Sequence, residues 1–226
     1  MTHYSGESRS WSARALSLAE LLIGSLIVIG HNILKVLPNE VPILFILGWI
    51  SLRLRNQGWK TAGLKRPDSW WKTVAWAVLA AALLQGGGEL VIVPLASRIW
   101  PEPQHVSKIV ESARLGWPQL LLLLGLVWTF AAFGEELSYR GYLLTRAADL
   151  FARSRTGYVV GVIVIAVLFG FGHYYKGMAG VADSTYSGLV YGGVFLASGR
   201  NFWAAILAHG ISDTFALFVV FMGWAS

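Results

Sequence analysis

Cysteine is absent from this 226-residue chain, and its absence excludes several kinds of protein at once. Without cysteine there is no disulfide framework, no thiol nucleophile and no thiolate site for a metal ion. Charged residues are also scarce: they make up 13% of the chain, whereas hydrophobic residues make up 55%. A soluble domain carries roughly twice that share of charge. The composition therefore indicates an all-α, polytopic membrane protein.

Seven apolar segments predict a transmembrane helical bundle of about seven spans, within a range of six to eight. They cover residues 16–37, 41–54, 73–97, 117–145, 157–174, 184–199 and 202–223. The second segment is short, because ~30 Å of hydrocarbon needs ~20 helical residues. It therefore starts earlier, tilts or is re-entrant. The first is too long for a signal peptide and no small-residue cleavage site follows it, so we expect a retained helix. Residues 1–226 are predicted to form a single membrane domain.

The net charge of +6 reflects basic residues that lie between the apolar segments, so it carries information about topology. It does not indicate nucleic acid as a partner. With the N-terminus inside, twelve Lys and Arg fall on the inner side: Arg9, Arg14, Arg53, Arg55, Lys60, Lys65, Arg66, Lys72, Arg146, Arg153, Arg155 and Arg200. Five fall outside: Lys35, Arg98, Lys108, Arg114 and Lys176. This bias predicts a multi-pass protein of the inner (plasma) membrane with a cytoplasmic N-terminus, surrounded by lipid.

Ionisable side chains interrupt three of the apolar segments. Such groups are costly in hydrocarbon and usually face the bundle interior or a water-filled cavity, so we expect them to form one buried site. They are Glu135, Glu136, Arg140, His173, His209 and Asp213. Carboxylates and imidazoles without cysteine suit the activation of water. The site therefore suggests an intramembrane hydrolase.

The spacing of these residues predicts a division of roles. Glu136 and Arg140 lie four apart on a helix and can form an ion pair, which leaves Glu135 free for chemistry as a general base. His209 and Asp213 are also four apart, so Asp213 can accept a hydrogen bond from the imidazole and set its tautomer. Phe169, one turn before His173, can form a wall of the site.

Three motifs follow one another along the chain: Glu-Glu-x-x-x-Arg from Glu135, Phe-x-x-x-His from Phe169 and His-x-x-x-Asp from His209. In this order they resemble the motifs of the CPBP family, which unites type II CAAX prenyl endopeptidases with bacteriocin-processing and immunity membrane proteins. The resemblance covers about 80 residues from Phe133 to Asp213, and it implies a catalytic core at 117–223.

The resemblance implies a role for each matching residue. Glu135 activates a water that His173 shares, while Glu136 and Arg140 support the site. His209 stabilises the oxyanion, and Asp213 stands where the family has Asn or Asp. An ionised Asp only accepts hydrogen bonds, so Asp213 is expected to orient His209 and not to donate to the oxyanion. The implied activity is endopeptidase cleavage of a membrane-embedded or membrane-proximal peptide or protein.

Other interpretations remain open at the level of sequence. Glu135, His173 and His209 match a zinc ligand set in type, so Zn²⁺ is the alternative to a glutamate-activated water that needs no cofactor. A non-catalytic immunity or scaffold protein would share the fold. A proton-coupled transporter could use the same groups as a relay, although no repeated halves are visible in the sequence. Short loops favour a bacterial protein.

Overall fold

The computed structural model describes residues 11–101 and 107–224, so Arg9 of the predicted charge bias lies outside the described residues. This part of the chain forms nine helices and no strand. They are α1 (Trp11–Asn32), α2 (Glu40–Leu54), α3 (Trp59–Ala62), α4 (Trp70–Ile99), α5 (Lys108–Glu111), α6 (Trp117–Asp149), α7 (Arg155–Phe171), α8 (Gly177–Ala197) and α9 (Phe202–Phe221). The all-helical prediction is confirmed.

Each of the seven apolar segments forms a helix, but the spans are fewer than predicted. By length and apolarity α1, α4, α6 and α9 can cross a membrane, and α7 with α8 adds a fifth span if that bent pair counts as one. Helix α2 has only 15 residues, about 22 Å of rise at ~1.5 Å per residue. The first helix ends at Asn32 and not at 37, because Lys35 takes a left-handed φ of 56°.

Two helices depart from regular α-geometry in the part of the chain described. Helix α4 is π-helical over Gly88–Ile92, a stretch that begins at the last of the three glycines at 86–88. Helix α6 is π-helical over Val127–Leu143, the stretch that contains both site glutamates. Such geometry is rare in proteins and is frequent at functional sites. The irregular backbone of α6 therefore coincides with the polar part of the bundle.

Helix α6 lies at the centre of the bundle. Residues 136–149 are buried without interruption. It packs against α2, α7 and α9, and its apolar side chains join the main hydrophobic core with those of α1 and α4. The outer faces of the other helices carry exposed large apolar side chains, such as Leu26, Leu79 and Ile163. This distribution is the one expected when lipid, rather than water, surrounds the bundle.

Small residues allow α7 and α8 to pack closely. A Cβ at Gly188 of α8 would lie 2.8 Å from Ala166 Cα, and one at Gly192 would lie 2.6 Å from Val162 Cγ1. Both distances are shorter than van der Waals contact, so only glycine permits this approach. The Gly188/Gly192 pair therefore serves packing within the bundle.

We expect Gly188→Ala to destabilise the protein by about 1–3 kcal/mol, because the added methyl group overpacks the contact with α7. The matched control is Gly193→Ala on the same helix, where an added Cβ meets nothing within 4 Å. It should be neutral or stabilising by up to ~1 kcal/mol through helix propensity. Thermal unfolding of both variants in detergent measures the difference, and equal unfolding temperatures would contradict the described packing.

Candidate active site

The predicted ion pair between Glu136 and Arg140 forms in the interior of the bundle. Arg140 Nη1 donates to Glu136 Oε1 over 3.1 Å, and the two side chains are 2% and 0% exposed. Arg140 Nη2 donates to the backbone oxygen of Gly188 on α8 over 3.2 Å. A buried charge needs such partners, since an unpaired one is strongly destabilising. The guanidinium therefore ties α6 to α8.

Aromatic rings enclose the same guanidinium. Arg140 Cζ lies 4.7 Å from the ring centre of Phe169 and 5.1 Å from that of Tyr191. These are cation–π distances, and the interaction is stronger where water is excluded. Phe169 was predicted to form a wall of the site, and it lies between Arg140 and His173, with its centroid 4.7 Å from the His173 ring. Tyr191 was not predicted, because no local spacing connects it to the motifs.

His209 lies between two carboxylates. Its Nδ1 is 3.1 Å from Glu136 Oε1, and its Nε2 is 3.5 Å from Asp213 Oδ2. The contact with Asp213 follows from the i, i+4 spacing, whereas the contact with Glu136 joins residues 73 apart in sequence. The ring also stacks on Tyr191, with centroids 4.5 Å apart. Only a doubly protonated imidazole donates from both nitrogens to these carboxylates.

Glu135 stands apart from this network. It is half-buried, and its Oε2 is enclosed without a hydrogen-bond partner among the described residues. It lies within electrostatic range of His209, Asp213, Glu136 and Glu40. Glu136 contacts Arg140 and His209, whereas Glu135 contacts neither through a hydrogen bond. The i, i+4 spacing of Glu136 and Arg140 predicted this difference between the two carboxylates. The unengaged oxygen of Glu135 can accept a hydrogen bond from a water or a substrate group.

His173 lies where the chain bends. Helix α7 ends at Phe171, and the following segment, Tyr174–Ala197, is inclined to it by 56°. His173 Nδ1 is 3.0 Å from the backbone oxygen of Phe169, which orients the ring and directs Nε2 away from that bond. Lys176, His209 and Asp213 are its main charged neighbours. The bend brings this histidine to the end of a helix and removes it from a continuous span.

Zinc was the alternative to a glutamate-activated water, with Glu135, His173 and His209 as its ligands. Within residues 11–101 and 107–224, no three His, Asp or Glu side chains converge in a geometry that could hold a metal ion. Both nitrogens of His209 already face carboxylates, and a ligating imidazole needs one nitrogen for the metal.

One carboxylate near the site was missed at the level of sequence. Glu40, at the start of α2, is buried, and its Oε1 accepts from the hydroxyl of Tyr139 over 3.3 Å. His31 Nε2, on α1, lies 3.5 Å from Glu40 Oε2. An ionisable residue at the edge of an apolar segment was the available signal for Glu40. Its partner is 99 residues away, so no local pattern could identify it.

The fold and the site define a polytopic helical membrane protein that encloses carboxylate, guanidinium and imidazole groups. Residues 117–215 match the model of the family described as type II CAAX prenyl endopeptidase Rce1-like. The match confirms the resemblance inferred from the motifs. The matched segment is somewhat less than half of the chain, and over it the protein is similar to CAAX-type intramembrane endopeptidases, which supports assignment to the CPBP/CAAX family. Comparisons with curated proteins and with solved structures gave no match.

We expect Arg140→Ala to lower the free energy of unfolding by about 3–5 kcal/mol, because it leaves the Glu136 carboxylate buried without its cation. Arg98→Ala provides the control, since Arg98 is exposed at the end of α4. That change should stay within about 0.5 kcal/mol of the unsubstituted protein. Denaturation of both variants in detergent gives the two values. Similar stability for Arg140→Ala would show that the guanidinium is not the buried partner described.

Proposed function

We propose that this protein hydrolyses a peptide bond in a membrane-embedded or membrane-proximal substrate, with a water activated by Glu135. The observation that carries the proposal is that the enclosed Oε2 of Glu135 has no hydrogen-bond partner in the described part of the chain. The adjacent Glu136, whose Oε2 is also unpartnered, is held through its Oε1 by Arg140 and His209. An unengaged carboxylate in a desolvated site is suited to accept the proton of an attacking water.

In this mechanism the proton of the water moves to Glu135 as the water oxygen attacks the scissile carbonyl. His173, oriented through its Nδ1 contact with Phe169, hydrogen-bonds the same water from Nε2. The resulting oxyanion needs a preorganised donor, and we assign that role to His209 Nε2. Its contact with Asp213 is long, at 3.5 Å, so the nitrogen can turn to a substrate oxygen while Glu136 holds Nδ1. Protonated Glu135 then donates to the leaving amine.

An apolar groove supports a lipid-side approach of the substrate. It lies between α2 and α6, has a volume of about 290 Å³ and is lined by Val41, Pro42, Phe45, Ile46, Thr129, Phe130, Phe133 and Gly134. Gly134, the residue before the proposed base Glu135, is one of the lining residues. An apolar peptide segment can fill such a surface without leaving the hydrocarbon, which favours a substrate with a membrane-associated segment.

The test is cleavage of a quenched fluorogenic library of membrane peptides by the purified protein, beside Glu135→Ala. We expect cleavage by the unsubstituted protein and a loss of at least ~100-fold in the variant, because general-base catalysis contributes about 10²–10⁴-fold. A chelator should have no effect. Loss of activity with chelator and recovery with zinc would contradict water activation by the carboxylate and would indicate a metal site. Binding without any cleavage would favour the scaffold interpretation.

We also propose that this protein lies in a bacterial plasma membrane with its N-terminus in the cytoplasm. The chain has no cysteine, so a single introduced thiol reports its own side of the membrane. Cysteine at Gly199, beside Arg200, should be protected from an impermeant thiol reagent in intact cells. Cysteine at Ser112, beside Arg114, should react, because the proposed orientation takes the short helix α2 as a crossing segment between α1 and α4. The opposite pattern would reverse the proposed orientation and contradict the positive-inside bias.

A further inference from the structure

We propose that Glu40 is a positioning residue of the active site: it fixes the hydroxyl of Tyr139 and, through that hydroxyl, the backbone that carries His173. This inference rests on the proposed function for its effect on catalysis. Its structural part stands independently. Glu40 belongs to none of the three motifs and lies outside the 117–215 segment that matches the protease family.

Glu40 and Tyr139 form a buried contact between α2 and α6. The Tyr139 hydroxyl donates to Glu40 Oε1 over 3.3 Å, and the two residues are 1% and 6% exposed. The ring of Tyr139 packs edge-on against Phe169, with centroids 5.1 Å apart. A buried hydroxyl that loses its partner pays the full desolvation cost. The carboxylate therefore selects one position for the end of the tyrosine side chain.

The hydroxyl of Tyr139 lies against the backbone directly before His173. A Cβ at Gly172 would lie 2.8 Å from Tyr139 Oη and 3.7 Å from Glu40 Oε1. Glycine at 172 thus lets the end of α7 contact the pair directly. A shift of the tyrosine hydroxyl opens or closes the space in which Gly172 sits. Glu40 consequently acts on His173 through one hydrogen bond and one backbone contact.

The start of α2 holds Glu40 in place. Asn39 caps the helix by accepting from Val41 N over 2.9 Å, and a carboxylate in the first turn is favourable beside the helix N-terminus. Ser138 Oγ donates to the Val41 backbone oxygen over 3.2 Å, which ties the same turn to α6 a second time. His31 lies against the other oxygen of Glu40. The hydrogen bond of this carboxylate is the one to Tyr139 of α6, whereas its second oxygen has no hydrogen-bond partner among the described residues.

A purely structural role for Glu40 makes a different prediction. Two hydrogen bonds connect the first turn of α2 to α6. Tyr139 donates one to Glu40, and Ser138 donates the other to the backbone oxygen of Val41. If Glu40 only joins the two helices, the loss of either hydrogen bond should lower the stability of the protein to a similar extent. The turnover rate of the folded protein should then be unchanged. If Glu40 positions His173, the loss of its own hydrogen bond should lower the turnover rate specifically.

The experiment compares peptide cleavage by Glu40→Ala, Tyr139→Phe and the double variant. Each single change removes the same hydrogen bond, so each should lower kcat by about 10–100-fold with KM within about twofold, as expected for a misplaced catalytic group. The double variant should be no slower than the slower single one, because the bond can be lost only once. Glu40→Gln keeps an acceptor oxygen and should retain kcat within about threefold.

Ser138→Ala is the matched control, because it removes the hydrogen bond to Val41 and keeps the one between Tyr139 and Glu40. It should keep kcat within about twofold. Multiplicative losses in the double variant, an unchanged kcat in Glu40→Ala, or an equal loss in Ser138→Ala would each overturn the proposal.

Hydrogen exchange separates this inference from the proposed function. The backbone amides of the segment 172–176 should exchange faster in Glu40→Ala and Tyr139→Phe than in the unsubstituted protein, and Ser138→Ala should leave them unchanged. This readout needs no substrate. If the unsubstituted protein cleaves no peptide, the proposed function fails while the exchange result still decides the positioning. Unaltered exchange at 172–176 in both variants would show that Glu40 does not hold this segment.

Discussion

One oxygen of Glu136 organises the interior of this bundle. Glu136 Oε1 accepts from Arg140 on its own helix and faces His209 of α9, and the same arginine reaches the Gly188 oxygen of α8. Three helices are thus joined around a single buried carboxylate. A charge in this position is tolerated only while its partners stay in place. Packing of the bundle and geometry of the site are therefore set by the same contacts, and the neighbouring Glu135 is left unengaged because Glu136 satisfies the arginine.

The reactive groups sit where the helices are irregular. Glu135 and Glu136 lie in the π-helical part of α6, and His173 lies at the bend between α7 and α8. Regular α-helices satisfy their own backbone and present side chains at fixed angles, whereas π-helical turns and helix ends change those angles. In a bilayer such irregularity is tolerated only where the backbone is buried in protein or lines a cavity. The distribution explains why polar chemistry can be housed in a chain that is otherwise so apolar.

Local patterns predicted much of this structure, and long-range contacts account for the rest. The helical segments, the Glu136–Arg140 pair and the His209–Asp213 contact all follow from spacing along one helix, so the sequence alone indicated them. The contact between Glu136 and His209 and the bond between Glu40 and Tyr139 depend on how separate helices pack. Apolarity predicted seven spans, but helix length and the 56° bend reduce the number that can cross alone. The motifs could indicate which residues matter, but not that Glu40 lies beside them.

Two adjacent glutamates have separate roles in this site: Glu135 acts in the chemistry and Glu136 in the structure. The most direct test compares Glu135→Gln with Glu136→Gln, which change the same group one residue apart, by measuring unfolding temperature and peptide cleavage on each. We predict that Glu135→Gln abolishes cleavage and keeps the unfolding temperature, while Glu136→Gln lowers the unfolding temperature. A stable Glu136→Gln variant without activity, together with an active Glu135→Gln variant, would exchange the two roles and contradict the account.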